Sequence, residues 1–221
     1  CQLPLGVATN FRIDGKDYII PMAVEETSII AAASKTARWI RDNGEITTEV
    51  IGHEIIGQVQ IARVQDLARL RNTLESYKSI WIEEMNREVA AGMFQRGGGV
   101  RDMRVREIAR PDGGVMAVIH IHLDPCDAMG ANIINQVCEY ITRPIEDKTG
   151  ETVTMRILSN LADTKLTRAS VVMRGLDSKT GEAIQEASIF AELDSYRAAT
   201  NNKGVLKGIE PILIATGNDW R

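Results

Sequence analysis

VMAVIHIHLDPCDAMGANIINQVCEYI, Val115 to Ile141, decides the fold. Its first third, Val115–Leu123, is an apolar run with alternating histidines and reads as a strand. Its last part begins an apolar helical pattern, Met129–Lys148, that Gly150 ends. Upstream, Val100–Ile108 is a second strand, joined to the first across Pro111-Asp112-Gly113-Gly114. Before it, Val64–Val89 places Leu67, Leu70, Leu74, Tyr77, Trp81 and Met85 at spacings of three and four, and Gly97–Gly99 breaks that helix. Glu54–Ala62 and Thr152–Leu158 read as flanking strands. The order strand, helix, strand, strand, helix, strand is the split βαβ, or ferredoxin-like, plan, and it predicts a domain over 54–158.

The flanks have another character. Leu5–Arg12 and Asp17–Val24 read as strands around Asp14-Gly15-Lys16. Ile29, Ile30, Ala33, Ala37 and Ile40 form a helical stripe, with Thr27 or Ser28 as cap and Gly44 as terminator. After the central domain, Ala162–Ala169 and Glu182–Ala199 look helical, Asn201–Gly204 reads as a loop, and Ile209–Ala215 as a short buried strand. The prediction is a two-domain α+β or α/β protein. A discontinuous domain, 1–53 plus 159–221, holds the ferredoxin-like unit as an insertion.

The 221 residues are 44% hydrophobic and 25% charged, an ordinary globular composition. A net charge of −4 argues against a nucleic-acid footprint. The basic run Arg101–Arg110 is interleaved with Asp102 and Glu107, as on a solvated strand face. Three cysteines, Cys1, Cys126 and Cys138, without metal-type spacing suggest a reducing compartment. His120 and His122 alternate on one strand with too few ligands nearby for zinc, so a structural role and no metal are expected. No run has the length of a membrane span. The chain starts CQLPLGVATN and stops at TGNDWR just after an apolar stretch, so a piece of a longer chain is expected.

Four places carry residues that plain structure does not demand. Glu25-Glu26 sits where a strand meets a helix, which the helix dipole alone would favour. Lys203, in RAATNNKG, is either a solvated loop cation or a ligand group. Asp219, in ATGND, is a helix cap or an acid at the carboxyl end of a strand, where α/β proteins place ligands. DAMGAN, Asp127–Asn132, is an ordinary helix start or a place where free N–H groups meet a phosphate, with Gly130 permitting close approach. It is not a G-x-G-x-x-G fingerprint.

Taken in order, LPLGVATNFRIDGKDYIIPMAVEE (Leu3–Glu26), GGGVRD (Gly97–Asp102), DAMGANIINQVCE (Asp127–Glu139), RILSNLAD (Arg156–Asp163), YRAATNNKG (Tyr196–Gly204) and TGNDWR (Thr216–Arg221) resemble the 3-hydroxy-3-methylglutaryl-CoA (HMG-CoA) reductases, in particular their bacterial and archaeal class II branch. The resemblance implies reduction of HMG-CoA to mevalonate and CoA by way of mevaldehyde, with two hydrides from NADH or NADPH. It implies Glu26, Lys203 and Asp219 as catalytic residues and Ser28, Arg197 and Asn202 as substrate contacts. Lys203 would stabilise the oxyanion, Glu26 with a raised pKa would donate a proton, and Asp219 would keep the lysine charged. Asp127, Met129, Gly130 and Asn132 become cofactor-site candidates, with Asp102 at the adenosine ribose. A carboxylate there repels a 2′-phosphate and slightly favours NADH, whereas Arg104 would favour NADPH.

The resemblance also implies a cytoplasmic homodimer or higher homo-oligomer with active sites between subunits, and neither nucleic acid nor membrane as partner. Three departures stand out. Thr27 replaces a proline after the glutamate, and Lys207 replaces an asparagine at the substrate. None of His53, His120 or His122 matches the family histidine that protonates the leaving thiolate, so the fragment alone is expected to be inactive. The rival expectations are a non-catalytic nucleotide- or CoA-binding protein and a scaffold without a pocket at Lys203.

Overall fold

The structure, a computed structural model, describes residues 2–220; Cys1 and Arg221 lie outside the described residues. It is a mixed α+β chain with two four-stranded sheets, and it divides into two compact units, Cys1–Glu49 with Arg168–Arg221, and Val50–Thr167.

The first unit opens with β1 (Leu5–Ile13) and β2 (Lys16–Ala23), an antiparallel pair. Asp14 and Gly15 both take positive φ, 49° and 77°, the type I′ turn whose twist suits a hairpin. Helix α1 (Ser28–Asn43) follows. Its N-cap, Thr27, has helical φ and ψ and no side-chain cap bond, and the Ser28 hydroxyl donates to Glu26 Oε1 at 3.2 Å. The expected hydroxyl cap is therefore absent, because Ser28 is engaged by the neighbouring acid. Gly44 ends the helix in extended backbone, φ −168°, and begins β3 (Gly44–Ile51), a strand the sequence did not announce. A Cβ at Gly44 would collide with the Val172 carbonyl, so glycine is required by close approach.

The inserted unit runs β4 (Ile55–Ile61), α2 (Leu67–Glu88), the short α3 (Ala91–Phe94), β5 (Gly99–Ala109), β6 (Val115–Asp124), α4 (Ala131–Thr149) and β7 (Met155–Leu158). Its sheet order is β5-β6-β4-β7, and every neighbouring pair is antiparallel. Alternation in β4 and β6 sends Val59, Ile61, Ile119, Ile121 and Leu123 into one core. Leu70, Leu74, Trp81 and Met85 of α2 meet them there, as do Ile134, Val137, Cys138, Ile141 and Ile145 of α4. At Gly57 a Cβ would strike Cys138 Sγ and lie 2.7 Å from Ile134 Cγ1, so the glycine lets α4 sit close on the sheet. Asn86, on α2, brackets β5: Val100 N–H donates to its Oδ1 at 2.7 Å and its Nδ2 donates to Val100 O at 3.0 Å. The carboxylate of buried Glu151 accepts the backbone N–H groups of Gln65 and Asp66 just before α2.

The unit is wider than the predicted 54–158 because the segment after β7 folds back on its own start. Glu54 N–H donates to Thr164 O at 3.1 Å, and Thr164 Oγ1 donates to Glu54 O at 2.8 Å. No helix forms over Ala162–Ala169; β8 (Leu166–Met173) pairs with β3 and completes the first sheet as β2-β1-β3-β8. Thr167, Val171 and Val172 suit Leu166–Met173 to a strand, which is exposed along nearly its whole length as at a sheet edge.

Two helices finish the chain, α5 (Ser178–Leu193) and α6 (Ser195–Ala215). The expected loop at Asn201–Gly204 and strand at Ile209–Ala215 are both turns of α6. Gly204 and Gly208 weaken helix propensity but take no positive φ, and Pro211 is buried within the helix. Tertiary packing on β2, α1 and α5 overrides those local signals.

Replacing Ile141 with alanine should cost the inserted unit about 2–5 kcal/mol. Ile157→Ala, on a half-exposed β7 position, should cost under about 1 kcal/mol. Urea unfolding midpoints of the two variants would check the contrast.

Candidate active site

The segment between β2 and α1 presents Glu25 and Glu26 side by side. Two adjacent carboxylates need a counter-charge, and α6 supplies it. Lys207 Nζ donates to Glu25 Oε1 and Glu26 Oε2, each at 2.7 Å, and its side chain is only 18% exposed. The hydrogen bond from Lys207 holds the Glu25 carboxyl below its usual range, and the charge of Lys203 adds to this. Hydrogen bonds from Lys207 and then Ser28 do the same for Glu26. In return, Glu25 and Glu26 hold the Lys207 ammonium above its ordinary value. The expectation of a Glu26 with raised pKa is corrected, because a cation and a hydroxyl both hydrogen-bond its ionised form.

Lys203 lies one turn before Lys207 on α6, on the same helix face. The two lysines, with Glu25, Glu210, Asn218 and Trp220, line a cavity of about 720 Å3. Among the described residues no hydrogen bond joins Lys203 to Glu26; the ammonium that reaches Glu26 is that of Lys207. A loop reading of 201–204 hid the four-residue spacing that puts both lysines on one face.

Asp219 follows the helix, not a strand. Thr216 caps α6, Gly217 takes φ 71°, and Asn218 N–H donates to Leu213 O at 2.8 Å while Gly217 N–H donates to Ile214 O at 3.2 Å. This pair of bonds is a Schellman close. It brings Asn218 and Trp220, which flank Asp219, to the cavity wall. Arg197 sits in the first turn of α6, its N–H bound by the Asp194 carboxylate at 2.7 Å. Asn202 is an exposed residue of the same helix.

The remaining candidates lie in the inserted unit. Gly130, φ 89°, stands at the N-terminus of α4, where a Cβ would come within 2.5 Å of Ile55 Cδ1 and 2.8 Å of Pro125 Cβ. No side chain caps this helix, so its first N–H groups have no side-chain partner, and Asp127, Met129 and Asn132 around it are exposed. On β5, burial alone would raise the Asp102 pKa. Hydrogen bonds from Lys78, from Arg104 at 2.6 Å and from Met103 N–H at 2.8 Å outweigh it, and the value falls to about 2. His122 Nδ1 lies 3.0 Å from Glu54 Oε2, and His120 Nε2 lies 3.0 Å from Gln58 Nε2, so both histidines are tied into the sheet. Among the described residues no helix is long and apolar enough to cross a membrane.

The pH dependence of the lysine–glutamate cluster follows from these shifts. Glu25 and Glu26, lowered from 4.5, stabilise the fold above that pH and lose the contribution as pH falls through their folded values. Lys207, raised from 10.5, contributes below that pH and loses the contribution above it. The urea midpoint of Lys207→Met should therefore fall below wild type between these limits, and the gap should close in acid.

Comparison with known proteins completes the picture. A family model described as hydroxymethylglutaryl-coenzyme A reductase matches residues 1–221. The 3-hydroxy-3-methylglutaryl-coenzyme A reductase of Archaeoglobus fulgidus is 44% identical over 224 residues, covering 100% of this chain and 51% of that protein. A probable enzyme of the same name from Borreliella burgdorferi is 32% identical, again over 100% of the chain and 51% of its own length. The chain thus spans about half the length of the curated relatives it matches. Among solved structures, the reductase of Streptococcus pneumoniae superposes with a TM-score of 0.91 at 36% identity, over all of this chain and 54% of that one. A class II structure from the same organism, described as bound to NADPH in open conformations, gives the same score and identity over 61% of its chain.

Proposed function

The chain belongs to the hydroxymethylglutaryl-coenzyme A reductase family, and on that premise we propose that the full protein reduces HMG-CoA to mevalonate and CoA by way of mevaldehyde. The observation that carries this reading is the cavity at α6, where Lys203 and Lys207, one turn apart, face consecutive glutamates. Carbonyl reduction creates an oxyanion, and a preorganised ammonium in a site sheltered from water is the group that stabilises it. We assign that task to Lys203. Glu26 and Asp219 are its acidic companions, and Ser28, Arg197 and Asn202 are the proposed substrate contacts. An arginine suits a substrate carboxylate because its guanidinium can bind both oxygens at once.

The inserted unit is the proposed dinucleotide domain, of ferredoxin-like plan. Its strand order and its uncapped α4 support this: free N–H groups and the positive end of a helix suit a pyrophosphate. Asp127, Met129, Gly130 and Asn132 surround that helix start. Reduced nicotinamide, when bound, supplies hydride twice. Asp102, ionised well below neutral pH, is poised to accept hydrogen bonds from a ribose. Arg104 is already held by Asp102, which leaves it less free for a 2′-phosphate and slightly favours NADH. The family implies a cytoplasmic homo-oligomer with sites between subunits, and we adopt that as part of the proposal.

In the full-length protein, HMG-CoA should trigger loss of reduced-coenzyme absorbance, and Lys203→Ala should slow it about 10²–10³-fold. Oxidation of neither coenzyme by folded wild type would instead favour a CoA- or nucleotide-binding protein. Asp102→Ser should raise the NADPH-to-NADH ratio of kcat/KM about tenfold, since it removes a charge that opposes a phosphate.

A further inference from the structure

The acid placed at the adenosine ribose has more cation around it than it needs. Two side chains grip Asp102: Arg104, from its own strand, at 2.6 Å, and Lys78, from α2. Two cations on one carboxylate leave the cluster with one net positive charge. The carboxylate itself is ionised at neutral pH, since its pKa falls to about 2. The repulsion that a bare Asp102 would exert on a 2′-phosphate is therefore offset before any coenzyme arrives.

The two cations are held differently. The Arg104 side chain is 66% exposed, whereas that of Lys78 is 28% exposed. On α2, Lys78 stands one turn from Leu74 and from Trp81, both buried in the core, and it follows Tyr77, whose ring stacks on Trp81 with centroids 5.4 Å apart. Anchored on a packed helix, its ammonium loses little freedom when it meets an anion. The same helix fixes the strand. Asn86 brackets Val100, and the register of β5 on β6 shifts between Val100 and Asp102. A bulge of this kind re-aims the side chain that follows it, here Asp102. An ammonium carries three N–H groups, and among the described residues Asp102 is the one acceptor that Lys78 meets.

We propose that Lys78 is a specificity-determining residue for the coenzyme: its ammonium offsets Asp102 and donates to the 2′-phosphate of NADPH, so that the site accepts NADPH beside NADH. The inference rests on the placement of the adenosine ribose at Asp102. A phosphate monoester carries about −1.5 to −2 charges at neutral pH and three acceptor oxygens, so it can take N–H groups that Asp102 leaves unused. Arg104, the more exposed cation, is drawn off by Asp102. Lys78 then supplies the charge that comes from a fixed position. With NADH in place the ion pair between Lys78 and Asp102 stays closed, and the carboxylate accepts from the ribose hydroxyl.

The test uses the full-length protein. Lys78→Met keeps an unbranched apolar stem and removes the charge, and it should lower the NADPH-to-NADH ratio of kcat/KM about tenfold. Lys78→Arg keeps the charge and should retain most of that ratio. A readout without turnover is calorimetric binding of adenosine 2′,5′-bisphosphate, which in Lys78→Met should weaken about tenfold relative to AMP, the probe without a 2′-phosphate. A wild-type ratio in Lys78→Met would overturn the proposal. So would equal losses in Lys78→Arg and Lys78→Met, which would mean that shape and not charge is read, or a bisphosphate that loses no more affinity than AMP. Asp102→Ser separates this inference from the reading beneath it. If that variant shifts the ratio and Lys78→Met does not, the inference alone fails. If neither shifts it, the ribose is not at Asp102 and both fail. Both fail too if folded wild type oxidises neither coenzyme and binds neither adenosine probe.

Discussion

The candidate site depends on the junction of α5 and α6 at Asp194. Its N–H closes α5 on Phe190 O at 3.0 Å, and its carboxylate opens α6 by accepting Arg197 N–H at 2.7 Å. One residue thus closes one helix with its backbone N–H and caps the start of the next with its carboxylate. From that start, Lys203 and Lys207 emerge on one face, and the Schellman close at Gly217 returns the chain to the same cavity. The glutamate pair is then compensated by a cation from an element almost the whole chain away in sequence. Shift α6 by one residue and both lysines leave the face.

The two units were unequally legible in the sequence. In the inserted unit β4, β6, α2 and α4 bury periodic faces in one core, so the spacing of Leu70, Leu74, Trp81 and Met85, or of Ile119, Ile121 and Leu123, could be read directly. The first unit hides its structure for particular reasons. Asn201-Asn202-Lys203-Gly204 has turn composition, yet Asp194 nucleates a helix upstream and packing carries it through. PILIA reads as a strand because isolated apolar runs do not distinguish helix from strand. Leu166–Met173 exposes most of its residues, so it lacks the half-buried alternation that marks a strand.

The site was partly legible for the same reasons. Glu26, Lys203 and Asp219 were singled out by residue type and resemblance, but how the charges pair was not. Lys207 was visible only as a departure from a pattern. Its pairing with the glutamates emerges when helix continuity places it one turn from Lys203, and its hydrogen bond lowers the Glu26 pKa where a raised one was expected. In the inserted unit, Gly130 supports the packing reading of DAMGAN: its positive φ and crowded Cβ leave no room for a side chain.

The connection between the two halves of the first unit has a kinetic consequence. β3 and β8 are hydrogen-bonded neighbours, cross-linked by Glu49–Arg168 at 3.2 Å and by Glu45–Arg174. They amount to a hairpin whose loop is an entire folded unit, Val50–Thr167. Closing so long a loop from a random chain is entropically slow. Once the inserted unit has folded, the bonds between Glu54 and Thr164 hold its two ends together, and the effective loop shrinks to a few residues. Topology thus favours an order in which the insertion forms first and so shortens the loop that β3 and β8 must close.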